Sequence, residues 1–248
     1  MAGIVVQLAE SGFALVSGLF TCAEIDLWRD EVDRLLAAEA PTEPAVLSHA
    51  GRPYAARNLL DAWPRVRDIA RTPPLSQRLQ EVLGPACGLV RGLLFDKPPE
   101  QTWSLPWHQD MTIAVKDNTI SSEHFGKPTV KAGVPHVEGP LDLLERMVTA
   151  RVHLDEVTDE NGPLRVVAGS HRWGKSLRFA GDAREAGVDT HTILAKPGDV
   201  LLMRPLVAHS SPASHPDTQR HRRIVHLEFA PAGELPDGYE WYWFDRVA

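Results

Sequence analysis

His108 and Asp110 stand two residues apart in "SLPWHQDMTIAV", and residues 107 to 115 of that run read as a β-strand. On a strand, residues i and i+2 point the same way with Cβ atoms about 7 Å apart. An imidazole and a carboxylate can therefore converge on one point. Alone, the pair is weak evidence, since a hydrogen-bonded pair in the sheet or a tautomer-fixing contact is the commoner fate of a histidine near an aspartate. A third ligand would change that, and the candidates are His49, His124, His136, His153, His171, His191, His209, His215, His221 and His226. Of these, His209 lies at the far end of the strand-like "DVLLMRPLVAHSS", where sequence-distant strands of a closed β-fold face one another. Two neutral imidazoles and one carboxylate on one face of an octahedral ion leave positions open for oxidant and substrate, as in non-haem Fe(II) sites. Structural zinc normally recruits cysteine or a further histidine. His108, Asp110 and His209 are therefore the expected metal ligands.

These residues need a scaffold to bring them together. "GFALV" reads as a short strand, and Thr21-Cys22-Ala23-Glu24 has the form of a capping box. Ile25, Trp28, Val32, Leu35 and Leu36 then recur at helical spacing as far as Ala40-Pro41. A second helical zone runs from about Pro64 to Leu83, broken at Pro73-Pro74 and stopped by Gly84-Pro85. From residue 86 the pattern changes. "ACGLVRGLLF", the strand carrying His108, "MVTARVHLDEV", "LRVVAG", "HTILAKPGDVLLMRP" and "RRIVHLEFA" are Val/Ile/Leu-rich and bounded by turn residues. Several short strands without intervening helices predict a mainly β double-sheet jelly roll, braced by N-terminal α-helices.

The expected organisation is one domain over 1–248, with helical support in 1–85 and the jelly-roll core in 86–230. Between them in function stands Lys116 to Glu145, where Gly126, Pro128, Gly133, Pro135, Gly139 and Pro140 interrupt any periodicity. It reads as an irregular loop tethered beside the metal: a mobile lid, with Lys127, Lys131 and His136 as polar handles for substrate.

Composition narrows the function. The chain has 248 residues, 43% of them hydrophobic, and no apolar run long enough to suggest a membrane span. A formal charge of −7 gives no general attraction to nucleic acid or anionic lipid. Cys22 and Cys87 form no CxxC pair and no signal peptide is recognisable, so a reducing cytoplasm is expected.

Four ordered motifs, "LLFDKPPEQTWSLPWHQD", "NGPLRVVAGSHRWG", "KPGDVLLMRPLVAHSS" and "RHRRIVHLEFA", together resemble the phytanoyl-CoA dioxygenase family of Fe(II)/2-oxoglutarate oxygenases. The likeness spans about residues 86 to 230. It departs at Ala168, where the family generally has proline in the turn before the Ser-His pair. The resemblance implies a double-stranded β-helix with Fe(II), 2-oxoglutarate and O2 as cofactor and co-substrates. Its H-x-D falls on His108 and Asp110, and its distal histidine on His209.

The distal carboxylate of 2-oxoglutarate calls for a fixed guanidinium. Arg222 and Arg223 open the final strand, and neighbours alternate faces, so only one can point inward. The family pattern selects Arg222, with Ser211 as an assisting hydroxyl. The implied activity is oxidation of a small organic molecule, with succinate and CO2 released. An acidic ligand at Asp110 occupies the position a halide would need, so hydroxylation, desaturation or ring chemistry is expected ahead of halogenation. Two alternatives remain at this point, a redox-inert metal hydrolase and a binding module on the same fold. His171 is expected in a structural turn, and Arg151 and His153 in either the pocket or an internal polar network. Lys97 is read as meeting an acidic substrate or as solvated, and Trp103, Trp107 and Trp173 as core or rim.

Overall fold

A computed structural model describes residues 3–37, 46–49, 52–99, 102–183 and 185–247. The chain begins with α1 (Ile4–Glu10), β1 (Phe13–Val16) and α2 (Cys22–Ala37). A hairpin of β2 (Val46–His49) and β3 (Arg52–Ala56) follows, then α3 (Leu59–Ala62), α4 (Arg65–Arg71) and α5 (Pro73–Leu83). Next come β4 (Gly88–Lys97), β5 (Leu105–His108), β6 (Thr112–Ala114), β7 (Gly126–Lys131), β8 (Val134–Glu138) and α6 (Leu141–Arg146). The remaining strands are β9 (Val148–His153), β10 (Leu164–Val166), β11 (His191–Ile193), β12 (Val200–Met203), β13 (His209–Ser211), β14 (Arg222–Ala230) and β15 (Asp245–Arg246).

The strands form a major sheet in the order β1-β12-β9-β14-β4-β3-β2, with β15 also on β4. Opposite it lies a smaller sheet, β11-β10-β13-β5, and a third sheet, β6-β8-β7, adjoins them. This is the expected double-stranded β-helix with helices outside it.

Period-2 alternation explains both faces of the major sheet. Val225, Leu227 and Phe229 of β14 share an apolar cluster with Val148, Ala150 and Val152 of β9 and Leu94 of β4. Ile25, Trp28 and Val32 of α2, Val66 and Ile69 of α4, and Leu75 and Leu79 of α5 complete that cluster. Each fully buried aliphatic side chain there contributes about 1.5–3 kcal/mol. The alternate residues of the same strands, Arg222, His226 and Glu228 of β14 and Thr149, Arg151 and His153 of β9, are polar and buried. They face the barrel interior, where a site can be built.

The capping box forms as expected: the Thr21 amide and hydroxyl both donate to the Glu24 carboxylate, at 2.8 and 2.7 Å. α2 is described as far as Ala37, and its expected end at Ala40-Pro41 lies outside the described residues, as does the His49 side chain. The α4–α5 break falls at Thr72, before the paired prolines.

Three expectations need correction. The 1–85 support region holds, besides the expected strand β1, an unexpected β2–β3 hairpin that joins the major sheet, and β15 extends the sheet beyond residue 230. The H-x-D segment is two strands rather than one: β5 ends at His108 and β6 starts at Thr112 in a different sheet. The segment 116–145 is not irregular. It holds the β7–β8 hairpin and α6, and its glycines and prolines punctuate these elements instead of preventing them. Ala132 and Gly133 form the two-residue turn with φ of 49° and 78°, the paired left-handed conformation of tight hairpins. Pro140 caps α6. Among the described residues, no helix is long and apolar enough to cross a membrane.

Candidate metal centre

β5 and β13 pair with His108 directly opposite His209. Their rings lie 4.1 Å apart, centroid to centroid. Asp110 reaches the same point from the break between β5 and β6, where its amide donates to the Pro205 carbonyl at 2.9 Å. Gln109 holds the break in place by donating to the Gly174 and Leu206 carbonyls, each at 2.8 Å. The Asp110 carboxylate lies 3.9 Å from His108 Nε2 and 3.6 Å from His209 Nε2. All three ligand atoms fall within 4.8 Å of one another, the one such metal-competent cluster found among the described residues.

The protonation pattern suits a cation. His108 Nδ1 faces the Pro106 carbonyl and His209 Nδ1 the Val207 carbonyl, each at 2.8 Å. A carbonyl can only accept, so both Nδ1 atoms carry the proton and both Nε2 lone pairs point at Asp110. Burial, then His108, pushes His209 down to about 3, which keeps it a neutral ligand. Burial would raise the Asp110 carboxyl, but His209, His226, His108 and Arg91 together hold it well below the usual carboxylate range.

Arg222 and Arg223 divide as alternation requires. Arg223 faces outward and pairs with Asp155 at 2.9 Å and with Asp33. Arg222 is 1% exposed, and its Nε and Nη1 have no hydrogen-bond partner. Burial, then Arg151, pushes it down to about 9. Beside it lies Lys97, 0% exposed, which donates to Ser211 Oγ at 2.7 Å and to the Pro212 carbonyl at 2.6 Å, with its ammonium over the Trp103 ring. Lys97 is thus neither solvated nor salt-bridged. Burial, then Arg222 and Arg151, pushes it down to about 6. The Ser211 hydroxyl donates to the Gly162 carbonyl at 3.0 Å and accepts from Lys97, so it acts as a strut for the ammonium.

A polar chain runs along the same interior wall toward the metal-competent cluster. Arg151 donates to His226 Nδ1 at 2.9 Å, and His226 Nε2 faces Glu228 Oε1 at 3.5 Å. Arg91 pairs with Glu228 at 3.1 Å and donates to the Thr112 carbonyl at 3.2 Å. Arg151 therefore belongs to an internal network as well as to the interior wall. His153 faces the Asp199 carbonyl, and His171 sits in a 3-10 turn against the Ala9 carbonyl, both structural. Lys127 pairs with Glu138 at the surface, whereas His136 is buried.

Sequence reasoning left Arg91, Glu228 and His226 without a role and Lys97 undecided. The available signal was that Arg91 and Lys97 of "LVRGLLFDK", and Arg222, His226 and Glu228 of "RRIVHLEFA", fall an even number of positions apart and so share one face of otherwise apolar strands, a face with polar duties.

The phytanoyl-CoA dioxygenase (PhyH) profile matches residues 8–223. A curated relative, the iron/alpha-ketoglutarate-dependent dioxygenase okaE of Penicillium ochrochloron, is 29% identical over 106 residues, covering 43% of this chain and 31% of that protein. The matched segment thus spans about a third of that relative's length. Among solved structures, EctD from S. alaskensis with bound Fe superposes with a TM-score of 0.71 at 20% identity, over 98% of this chain and 83% of that one. The epimerase SnoN from nogalamycin biosynthesis, in complex with Fe3+, alpha ketoglutarate and nogalamycin RO, gives a TM-score of 0.66 at 17% identity, over 95% and 86%. At these identities the superpositions speak for the shared fold. With the profile match covering most of its length, the chain belongs to the phytanoyl-CoA dioxygenase family of Fe(II)/2-oxoglutarate-dependent oxygenases.

Proposed function

We propose that the protein oxidises a small organic molecule, most simply by hydroxylation, with His108, Asp110 and His209 holding Fe(II) and Arg222 holding the distal carboxylate of 2-oxoglutarate. The observation that carries this is the Arg222 guanidinium, buried in the same barrel interior as the metal cluster with Nε and Nη1 unpartnered. A buried cation without a counterion is costly unless a ligand supplies one. A dicarboxylate supplies it, and a hydrolytic metal site would have no use for it. The donor set fits as well, since two imidazole nitrogens and one carboxylate suit Fe(II) and leave positions open.

When bound, iron and 2-oxoglutarate together supply the oxidising power, with succinate and CO2 as co-products. The chain's own residues do the rest. Arg222 and Lys97 fix the distal carboxylate, with Lys97 braced by Ser211 and the Pro212 carbonyl. Trp103 covers the ammonium and keeps water from it. The backbone carbonyls of Pro106 and Val207 fix both imidazole tautomers, so neither ring can turn its proton toward the ion. The segment 116–145 forms a wall beside the metal cluster through Lys131, His136 and β8, held in place by the β7–β8 ladder and the Lys131 bond to Thr112.

Purified protein supplied with Fe(II), 2-oxoglutarate and O2 is expected to release succinate, with release increasing when a true substrate is added from a small-molecule library. His209→Ala is expected to lose both iron and succinate formation while keeping the β-fold by circular dichroism. Stoichiometric iron and full turnover in that variant would remove the assignment.

A further inference from the structure

A second group of cations lines the barrel on the side away from Arg222. The chain leaves β3 at Arg57, and Ala55 pairs with Phe95, so Arg57 continues the face that carries Arg91 and Phe95. Arg57 has no hydrogen bond or ion pair among the described residues; burial, then Arg91, lowers its pKa. Lys131 ends β7 and donates to Thr112 Oγ1 at 2.8 Å, two residues from Asp110. Its neighbours in space include Arg91 and Arg57, which together with burial push it down to about 8. The segments that carry the two cations are tied together next to them: Asn58, following Arg57, donates from Nδ2 to the carbonyl of Ala132, following Lys131, at 2.9 Å.

Charge accounting shows what is missing. Among the described residues the guanidiniums of Arg91, Arg151 and Arg222 are buried in the interior and Arg57 and Lys131 stand half-buried at its edge, against the carboxylates of Asp110 and Glu228. Asp96 and Asp199, also buried, are engaged elsewhere, by His221 and by the Gly18 and Lys196 amides. Loading with Fe(II) and 2-oxoglutarate leaves the excess unchanged, because two positive charges arrive with two negative ones. Arg222 and Lys97 then have their carboxylate and Arg91 has Glu228. Arg57 and Lys131 still have none, and unlike Arg151, which is buried against the His226 ring, they are partly open to solvent and so within reach of a ligand.

We propose that Arg57 and Lys131 form an anion subsite for the substrate, so that the molecule oxidised here carries a carboxylate or phosphate, presented from β3 and from the β7–β8 hairpin. This rests on the Fe(II)/2-oxoglutarate reading and adds a substrate class to it. The subsite joins two elements that sequence places far apart, and the Thr112 link ties its geometry to the metal-binding segment. It also gives the 116–145 segment a chemical duty: Lys131 stands beside Arg57 only when the hairpin is in place.

The test uses anaerobic protein with Fe(II), titrated first with 2-oxoglutarate and then, once loaded, with hexanoate, hexyl phosphate and hexanamide, all by calorimetry. Hexanoate or hexyl phosphate is expected to bind at least about ten times more tightly than hexanamide, and the tighter of the two identifies the substrate's anion. Arg57→Gln leaves no partner stranded, so it should fold. It is expected to weaken anion binding roughly ten- to a hundredfold, with 2-oxoglutarate and hexanamide unmoved and Arg57→Lys restoring part of the loss. Equal binding of hexanamide, no anion binding to the loaded wild type, or an unchanged anion affinity in Arg57→Gln would overturn the subsite. Failure of the first titration would instead count against the co-substrate assignment, which keeps the two separable.

Discussion

Arg222 and Arg223 are neighbours of the same residue type with opposite surroundings, so the same substitution should give opposite results at each. Arg222→Met removes a guanidinium that is 1% exposed and lacks partners at Nε and Nη1. Replacing an uncompensated buried charge by an apolar side chain of similar volume is neutral or stabilising, by about 1–4 kcal/mol. The free protein should therefore melt no lower than wild type. Its 2-oxoglutarate affinity should fall, because charge-assisted hydrogen bonds to the distal carboxylate are worth about 1.5–3 kcal/mol, roughly ten- to 150-fold in Kd. Arg223→Met should do the reverse. It strands Asp155, whose side chain is 13% exposed, although Arg29 still approaches that carboxylate at 3.2 Å. That residual partner reduces the usual 3–5 kcal/mol penalty of a broken buried pair to about 1–3 kcal/mol. Melting scans and calorimetric 2-oxoglutarate titrations on both variants give a two-by-two outcome. A destabilised Arg222→Met with intact co-substrate affinity, or a stable Arg223→Met that binds 2-oxoglutarate poorly, would refute the assignment of inward and outward faces.

Other consequences can be measured on the same material. Gly162 holds φ +68°, and a Cβ there would stand 2.8 Å from Lys97 Nζ and against the Pro212 carbonyl; Gly162→Ala should cost about 1–3 kcal/mol of stability and raise the 2-oxoglutarate requirement, and wild-type values for both would remove Gly162 from the support of Lys97. Lys97 is pushed down to about 6 from its ordinary 10.5, so between those pH values the unfolded chain binds a proton that the folded one has released. Stability from this group therefore rises with pH across that window, and Lys97→Met should flatten the rise in urea titrations at pH 7 and pH 9. An unchanged pH slope would mean that Lys97 keeps its proton in the fold. The β7–β8 amides are expected to exchange slowly even without substrate, given the ladder and the Lys131 and Asn58 ties; fast exchange there, slowed by substrate, would instead describe a lid that opens.

The metal-competent cluster was legible because its three residues are chemically distinctive and two of them stand only two positions apart in sequence. The path by which they meet was not. Alternation along a single strand would also bring His108 and Asp110 together, so a correct pairing was reached through the wrong backbone. The actual break at Gln109 depends on the Gly174 and Leu206 carbonyls, contacts that no local pattern announces. The 116–145 hairpin stayed hidden for a related reason. Its turn is Ala-Gly instead of Asn-Gly or Asp-Gly, and Pro128 and Pro135 lie within its strands, which reads as loop when tertiary pairing is unknown. α1 was equally silent, since the valines of "IVVQLAE" favour a strand and only packing around Leu8 makes the segment helical.

The inward faces of β4, β9 and β14 show why polar residues in buried strands are more informative than their apolar neighbours. Val225, Leu227 and Phe229 would serve any sheet covered by helices. Arg222, His226 and Glu228 would destabilise a sheet whose other face enclosed an ordinary apolar core, because each costs several kcal/mol to bury alone. Here they are offset in part by one another, through Arg151, His226, Glu228 and Arg91, and that chain of contacts ends at Thr112, two residues from Asp110 of the metal-competent cluster. Arg222, Arg57 and Lys131 lie outside that chain of contacts, and Arg151 enters it through the His226 ring without a carboxylate of its own. Arg222, buried with Nε and Nη1 unpartnered, and the half-exposed pair Arg57 and Lys131 stand in two separate corners of the barrel, and those are the corners to which the proposed co-substrate and substrate anions are assigned.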